Sequence, residues 1–323
     1  MTGRTRRDRS RRWLIVVAAL AACGAPDPLL SFLDDESGLA FTHPPRWSVG
    51  FAEQDGVRYR YLTAPKVGDD AEALSVTLLS PTAAGSPDEA AEPYLAGASG
   101  IRKEPASPAG SNEWSFRDPQ GVLSRLRTKA ARDGRYFGAW ARGSDAAMEL
   151  YARRLDALFA SLSFESPADW PLESFAGMVL RAPATWSRGS RLSNATHATM
   201  QFKSLPLAVD KETETIHGFV TLSKEPVPPP GDLDAFYRHL RERASDTVVV
   251  VAHEPWAPPG APPGFSGYAD QMRSGTSLSA TRSRRWITVE NRVGLVLACE
   301  ARADAFDRLA PWCVRMADTL RLE

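Results

Sequence analysis

The chain is poor in the residues that carry chemistry: among 323 residues there are three cysteines and five histidines. His43, His197, His217, His239 and His253 stand apart, with no H-x-H or H-E-x-x-H spacing, and no cysteine pair has the spacing of a zinc site. Each reads as a structural histidine, not a ligand or a base. The nucleophile elbow G-x-S-x-G, the S-x-x-K pair, the P-loop and G-x-G-x-x-G are all missing. Adjacent acids such as Asp34-Asp35 and Asp69-Asp70 read as turns or caps, because the fold and not adjacency places glycosidase carboxylates. The sequence therefore offers no catalytic residue, no metal ligand and no cofactor motif.

After Cys23 no apolar run is long enough to span a bilayer. Lysine is scarce beside arginine, a bias of composition. What is present concentrates first at the N-terminus. Arg4, Arg6, Arg7, Arg9, Arg11 and Arg12 precede about ten apolar residues that close on Leu20-Ala21-Ala22-Cys23. A hydrophobic stretch that short, ending in small residues, is a processing signal and not a spanning helix. The tetrapeptide resembles the lipobox of bacterial lipoproteins. That resemblance implies cleavage before Cys23, a diacylglycerol on its thiol, and a chain facing the periplasm or the cell exterior. Two or three acyl chains anchor durably where one does not. Ser10-Arg11-Arg12-Trp13-Leu14 also fits a twin-arginine signal, though with Leu14 where that motif prefers Phe; general secretion is the expected route.

Without residues 1–22 the balance is 33 basic against 38 acidic residues. A mildly acidic protein lacks the basic face that nucleic acid requires. About 300 mature residues exceed what one core usually serves, so two domains are expected.

The two domains say nearly the same thing. Phe41, Pro44, Trp47, Ser48 and Gly50 return as Leu180, Pro183, Trp186, Ser187 and Gly189. A strand-like run at 74–79 is echoed at 218–223, and each is followed by a proline-bearing turn and a helical stretch containing Tyr94 or Tyr237. Strand pairs are predicted at 123–130 with 135–141 and at 278–289 with 293–299, the first joined through Asp133-Gly134. Met148, Tyr151, Leu155, Leu158 and Leu162 lie on one face of a closing helix, and Phe306, Leu309, Cys313, Met316 and Leu320 repeat the intervals. Pro311 should kink the second helix or mark its start. A brief helix is expected at 29–33. The proline-rich stretch 255–264 reads as a stiff surface loop, with a partner groove as the alternative. Trp47 and Trp186 read as packing residues before aromatic platforms.

The predicted organisation is a signal peptide over 1–22, a lipidated tether over 23–36, domains over 37–165 and 175–323, and a linker over 166–174. The F-x-x-P-x-x-W opening at Phe41, Pro44 and Trp47, repeated with Leu180, Pro183 and Trp186, and the closing helix after a hairpin resemble the PsbP-like superfamily, including lipoproteins of the LpqN and DcrB kind. The resemblance implies an α+β fold, twice over: a bent antiparallel sheet flanked by helices. It also implies a protein that binds or scaffolds other proteins without catalysis. The expected partners are the membrane, through the lipid, and an envelope protein. An envelope hydrolase with a site invisible in sequence, or a carrier with a small-ligand pocket between sheet and closing helix, are the rival readings.

Export places Cys299 and Cys313 in an oxidising compartment, where two remaining thiols usually pair. Cys299 continues the parity of Val293, Leu295 and Leu297, and Cys313 lies on the helix face turned to the sheet. A disulfide between them is expected. In the first half Arg142 and Leu155 stand at the matching places, which leaves that helix to packing alone.

Overall fold

The computed structural model describes residues 28–34, 37–54, 57–66, 74–106, 111–210, 214–245, 247–275 and 280–322. Cys23 and the signal segment lie outside these residues.

The first half opens with β1 (Leu30–Leu33), β2 (Leu39–His43), β3 (Ser48–Gln54), β4 (Val57–Thr63) and β5 (Ser75–Thr82). Helix α1 (Pro87–Leu95) follows, then β6 (Ser99–Ala106), β7 (Ser111–Arg117), β8 (Leu123–Ala130) and β9 (Tyr136–Gly143). It closes with α2 (Asp145–Leu150), α3 (Ala152–Ser161) and β10 (Ser163–Phe164). The second half runs through β11 (Leu172–Phe175), β12 (Met178–Arg181), β13 (Ser187–Ser193) and β14 (Ala198–Lys203). A small hairpin, β15 (Ala208–Asp210) and β16 (Glu214–Ile216), precedes β17 (Phe219–Pro226) and α4 (Leu233–Glu242). Then come β18 (Val248–Pro255), β19 (Gly267–Ser274), β20 (Thr281–Glu290), β21 (Val293–Arg302), α5 (Phe306–Ala317) and β22 (Arg321–Leu322).

The duplication is written in the sheets. One seven-stranded sheet has the order β3-β4-β5-β9-β8-β7-β6, and the other β13-β14-β17-β21-β20-β19-β18. These are the same order, antiparallel throughout, once the β15–β16 hairpin is set aside. Two three-stranded sheets, β1-β2-β10 and β11-β12-β22, repeat the correspondence at the closing ends. The structure is thus mostly antiparallel sheet with few helices.

The segment expected to be a brief helix is instead strand β1, equivalent to β11. Leu30-Ser-Phe-Leu33 is too short to sustain a helix alone, and pairing with β2 sets Phe32 against Phe41 with ring centroids 5.2 Å apart. The first closing helix is also not continuous. Tyr151 breaks it at φ −97° and ψ 6°, donates its hydroxyl to the Pro65 carbonyl at 2.9 Å, and packs edge-on to Trp47. Its apolar face survives the break: Met148, Tyr151, Leu155, Leu158 and Leu162 are all buried. In the second half α5 contains Pro311 in its interior, so the helix does not start there. Trp47 and Trp186 are buried, and Trp186 packs on Trp312, so both repeated tryptophans serve packing.

The cystine Cys299–Cys313 joins β21 to α5, with Cα atoms 6.3 Å apart and both residues fully buried. Strand register corrects its counterpart. Val220 faces Cys299 as Val76 faces Ala141, so Ala141 and not Arg142 holds the equivalent place. Nor does packing alone hold the first helix, because Lys129 Nζ donates to the Ala160 and Leu162 carbonyls at its end, at 3.1 and 2.6 Å.

The halves touch through β1 and α5. Leu33 and Ala40 belong to the second half's core. Ser31 N–H donates to the Pro206 carbonyl at 2.7 Å, and Arg315 Nη1 to the Glu165 carbonyl at 2.9 Å. His43, fully buried at the end of β2, donates from Nδ1 to the Pro44 carbonyl at 2.9 Å and leaves Nε2 without a hydrogen-bond partner. Burial lowers its pKa to about 4, with Arg308 adding to the effect.

Candidate functional site

The proline-rich stretch builds one wall of an open cleft. Its sequence repeats Pro-Pro-Gly, at 258–260 and 262–264. Proline fixes φ near −65° and glycine admits the positive φ of a type II turn, so tandem turns are dictated locally. They form as such: Ala261 N–H bonds the Pro258 carbonyl at 3.0 Å and Phe265 N–H the Pro262 carbonyl at 3.1 Å, with Gly260 at φ 75° and Gly264 at φ 86°. Trp256 N–H closes the neck on the Gly267 carbonyl at 2.8 Å, and the Trp256 and Phe265 rings meet edge to face at 5.7 Å. A Cβ at Gly267 would stand 2.8 Å from the Trp256 ring and 2.9 Å from the Ile287 carbonyl, so only glycine lets the neck close. The loop is rigid by construction.

The opposite wall is the end of the chain. Between them lies an open cleft of about 640 Å³, with Leu172 and Arg181 at one side, Val289 and Glu290 beneath, and Asp318 to Leu322 facing the prolines. The polar groups that line it are largely engaged. Arg181 Nη1 donates to the Trp170 carbonyl at 2.7 Å, and Arg181 N–H to Thr319 Oγ1 at 2.9 Å. Asp318 is half-buried, and burial raises its carboxyl pKa. Stiff proline walls, backbone carbonyls and a lone half-buried acid suit contact with an extended segment. The cleft assembles neither a nucleophile and base nor a ligand set for a metal. Among the described residues, no group of three or more His, Cys, Asp or Glu is placed to hold a metal ion, and no helix is long and apolar enough to cross a membrane.

A polar cluster that sequence reasoning missed sits elsewhere, on the sheet face beneath α4. Asp270 is almost wholly buried and accepts from His253 Nδ1 at 2.7 Å. The Tyr237 hydroxyl lies 3.4 Å from the same carboxylate. The His253 ring rests between Tyr237 and Tyr268, at centroid distances of 4.7 and 4.6 Å, and Tyr268 donates to Asp234 at 2.6 Å. The carboxylate fixes the imidazole tautomer, leaving Nε2 without the proton. Those are two of the three groups of a hydrolytic triad. Among the described residues no serine, threonine or cysteine hydrogen-bonds the other ring nitrogen, and the pair lies outside the cleft. The signal that could have found this cluster is the duplication itself: by register Asp270 stands where the first half has Trp114, and His253 where it has Lys103.

The remaining histidines have structural partners. His217 bonds the Ser204 carbonyl at 2.8 Å, and His197 closes a turn with Thr196 at 2.8 Å. The space between sheet and closing helix, where a carrier pocket was a possibility, is filled: Leu222, Leu297, Leu309 and Met316 are packed there with no more than 1% of their surface exposed. Of the predicted site residues, the structure brings Cys299 and Cys313 together, while Cys23 falls outside the described residues.

No protein-family model matches the chain, and no curated protein does. Solved structures give local likenesses. One from Bacteroides thetaiotaomicron VPI-5482 is 12% identical with a TM-score of 0.27, and the match spans 46% of each chain. The PsbP of Synechocystis sp. PCC 6803 (CyanoP) is 12% identical over 46% of this chain and 99% of that one, with a TM-score of 0.30. Immunity protein TplEi of the T6SS of Pseudomonas aeruginosa is 8% identical over 91% of this chain and 98% of that one, with a TM-score of 0.23.

Proposed function

We propose that the protein is an exported lipoprotein, held to a membrane by acyl chains on Cys23, which binds a partner protein at the cell envelope without catalysing a reaction. Each half is a PsbP-like domain in this reading. The observation that carries it is the cleft: about 640 Å³, stiffened by two type II turns and walled by the end of the chain. A preformed groove of this kind spends little conformational entropy on closing around an extended segment, which favours binding. The lipid supports the same reading, because a tethered protein meets envelope partners at high effective concentration.

Two substitutions test it. Cys23→Ser should release the protein from membranes, or leave it unprocessed, with the matching change in mass; unchanged fractionation and mass would sink the anchor. Replacing residues 258–264 with a glycine-serine stretch of equal length should leave the fold and melting temperature nearly unaltered. It should also remove the partner recovered by affinity capture from membranes. Recovery of the same partner in the same amount would place its binding elsewhere.

A further inference from the structure

Side chains of a strand alternate between the two faces of its sheet. On β14, β17 and β21 one set, with Met200, Phe202, Val220, Leu222, Leu297 and Cys299, is buried in the second half's core. The alternate set, Gln201, Phe219, Thr221, Ala298 and Glu300, therefore shares the other face. The β15–β16 hairpin stands beside this face, and between them lies a cavity of about 400 Å³ lined by all five residues and by Ile216 of the hairpin.

Phe219 is not there for the core. Its ring is 42% exposed, and it faces Glu300 where the first half pairs Ser75 with Arg142. The same fold is thus built with a serine at this place. A ring left half in water, at the border of a cavity, is a surface for a ligand to lie on.

The polar groups around the ring are of one kind. Among the described residues the Glu300 carboxylate, the Gln201 amide and the Thr221 and Thr281 hydroxyls have no hydrogen-bond partner. The carboxylate only accepts, whereas the amide and the hydroxyls both accept and donate. The basic groups in the lining are already used. Arg302 is bonded to Asp210 and Asp304, and His217 to the Ser204 carbonyl and the Thr215 hydroxyl.

A sugar ring has the complementary chemistry. Its C–H face is apolar and rests on the negative π-face of an aromatic ring. Its hydroxyls donate and accept around the edge, and a hydroxyl donating to a carboxylate makes a short, charge-assisted bond. An apolar ligand would leave the four polar groups desolvated and unpaired. An acidic one would set a second carboxylate against Glu300. We propose that this cavity binds the ring of a neutral pyranose sugar, with a C–H face on Phe219 and hydroxyls on Glu300 and Gln201. The site shares no residue with the proline-walled cleft and does not depend on the reading of it.

Saturation-transfer NMR on the full-length protein, in a detergent without a sugar headgroup, tests the proposal with the methyl glycosides of glucose, galactose, mannose and N-acetylglucosamine. At least one should bind saturably, and about 5-fold or more tightly than the methyl glycoside of glucuronic acid, the effect of one nearby like charge. Glu300→Gln should remove that preference. Phe219→Ala should weaken binding about 3- to 10-fold, the value of one aromatic contact. Both positions are exposed, so both variants should keep the wild-type melting temperature. A trisaccharide of the best sugar separates two sources: tighter binding than the single ring assigns the site to a glycan chain, and equal binding to one ring alone. Absence of saturable binding by all four glycosides, binding undiminished in Phe219→Ala, or a preference that persists in Glu300→Gln would overturn the proposal.

Discussion

With Cys299 and Cys313 both replaced by alanine, the second half loses about 3 kcal/mol of stability and unfolds before the first. The cystine closes a short loop, 14 residues apart in sequence, from β21 to the middle of α5. Cross-linking over such a loop removes about 3 kcal/mol of unfolded-state entropy in the chain-entropy model. Both residues are fully buried in the second half's core, and alanine at Cys299 reproduces Ala141 of the first half. The fold should therefore survive. Denaturant unfolding followed in the variant, and in wild type with and without reductant, measures the change. A loss under about 1 kcal/mol in both would mean that the loop is already ordered in the unfolded chain.

Acid should open the molecule by a separate route, through His43. Its folded pKa of about 4 lies below the ordinary imidazole value of 6.5 because the ring is buried and Arg308 is near. Between those two values the unfolded chain binds a proton that the folded chain refuses, so stability falls as pH falls. The contribution is complete above pH 6.5, and about 3 kcal/mol of it is gone once pH reaches the folded pKa. Protonation would also give Nε2 a donor with no acceptor beside it. His43→Phe removes the titration and keeps the ring volume, at the cost of the bond to the Pro44 carbonyl, worth about 1 kcal/mol. Comparing the two proteins isolates the histidine from every carboxylate that also titrates. Wild type should lead by about 1 kcal/mol at pH 7 and, after losing about 2.5 kcal/mol to the histidine, fall behind the variant at pH 4.5, so the urea midpoints should cross. Parallel losses in the two would show that the acid sensitivity lies elsewhere.

Much of this architecture could be read from the chain, and the parts that could not share a cause. The repeated Pro-x-x-Trp, the strand at 123–130 and the parity of Cys299 are local patterns, and they appear in the structure as expected. Strand β1 was hidden because Leu30-Ser-Phe-Leu33 has too few residues to display a period; only its pairing with β2 defines it. The break at Tyr151 depends on a distant carbonyl, Pro65, that no helical spacing reveals. The cleft arises from two turns legible as Pro-Pro-Gly, but its second wall is the far end of the chain. Phe219 is silent in sequence. It becomes informative only as the counterpart of Ser75, and that correspondence requires the strand register, because insertions at the β15–β16 hairpin and before β19 shift the offset between the halves.

Partner binding through the proline-walled cleft is tested most directly by a photo-crosslinking amino acid at Leu172, which stands exposed at the cleft's lip. Irradiation of intact cells should give one discrete adduct in the membrane fraction. That adduct should vanish when residues 258–264 are replaced, and should not form from the still more exposed Leu150 on the first half's α2. No adduct at Leu172, or the same adduct with the loop replaced, would contradict the account.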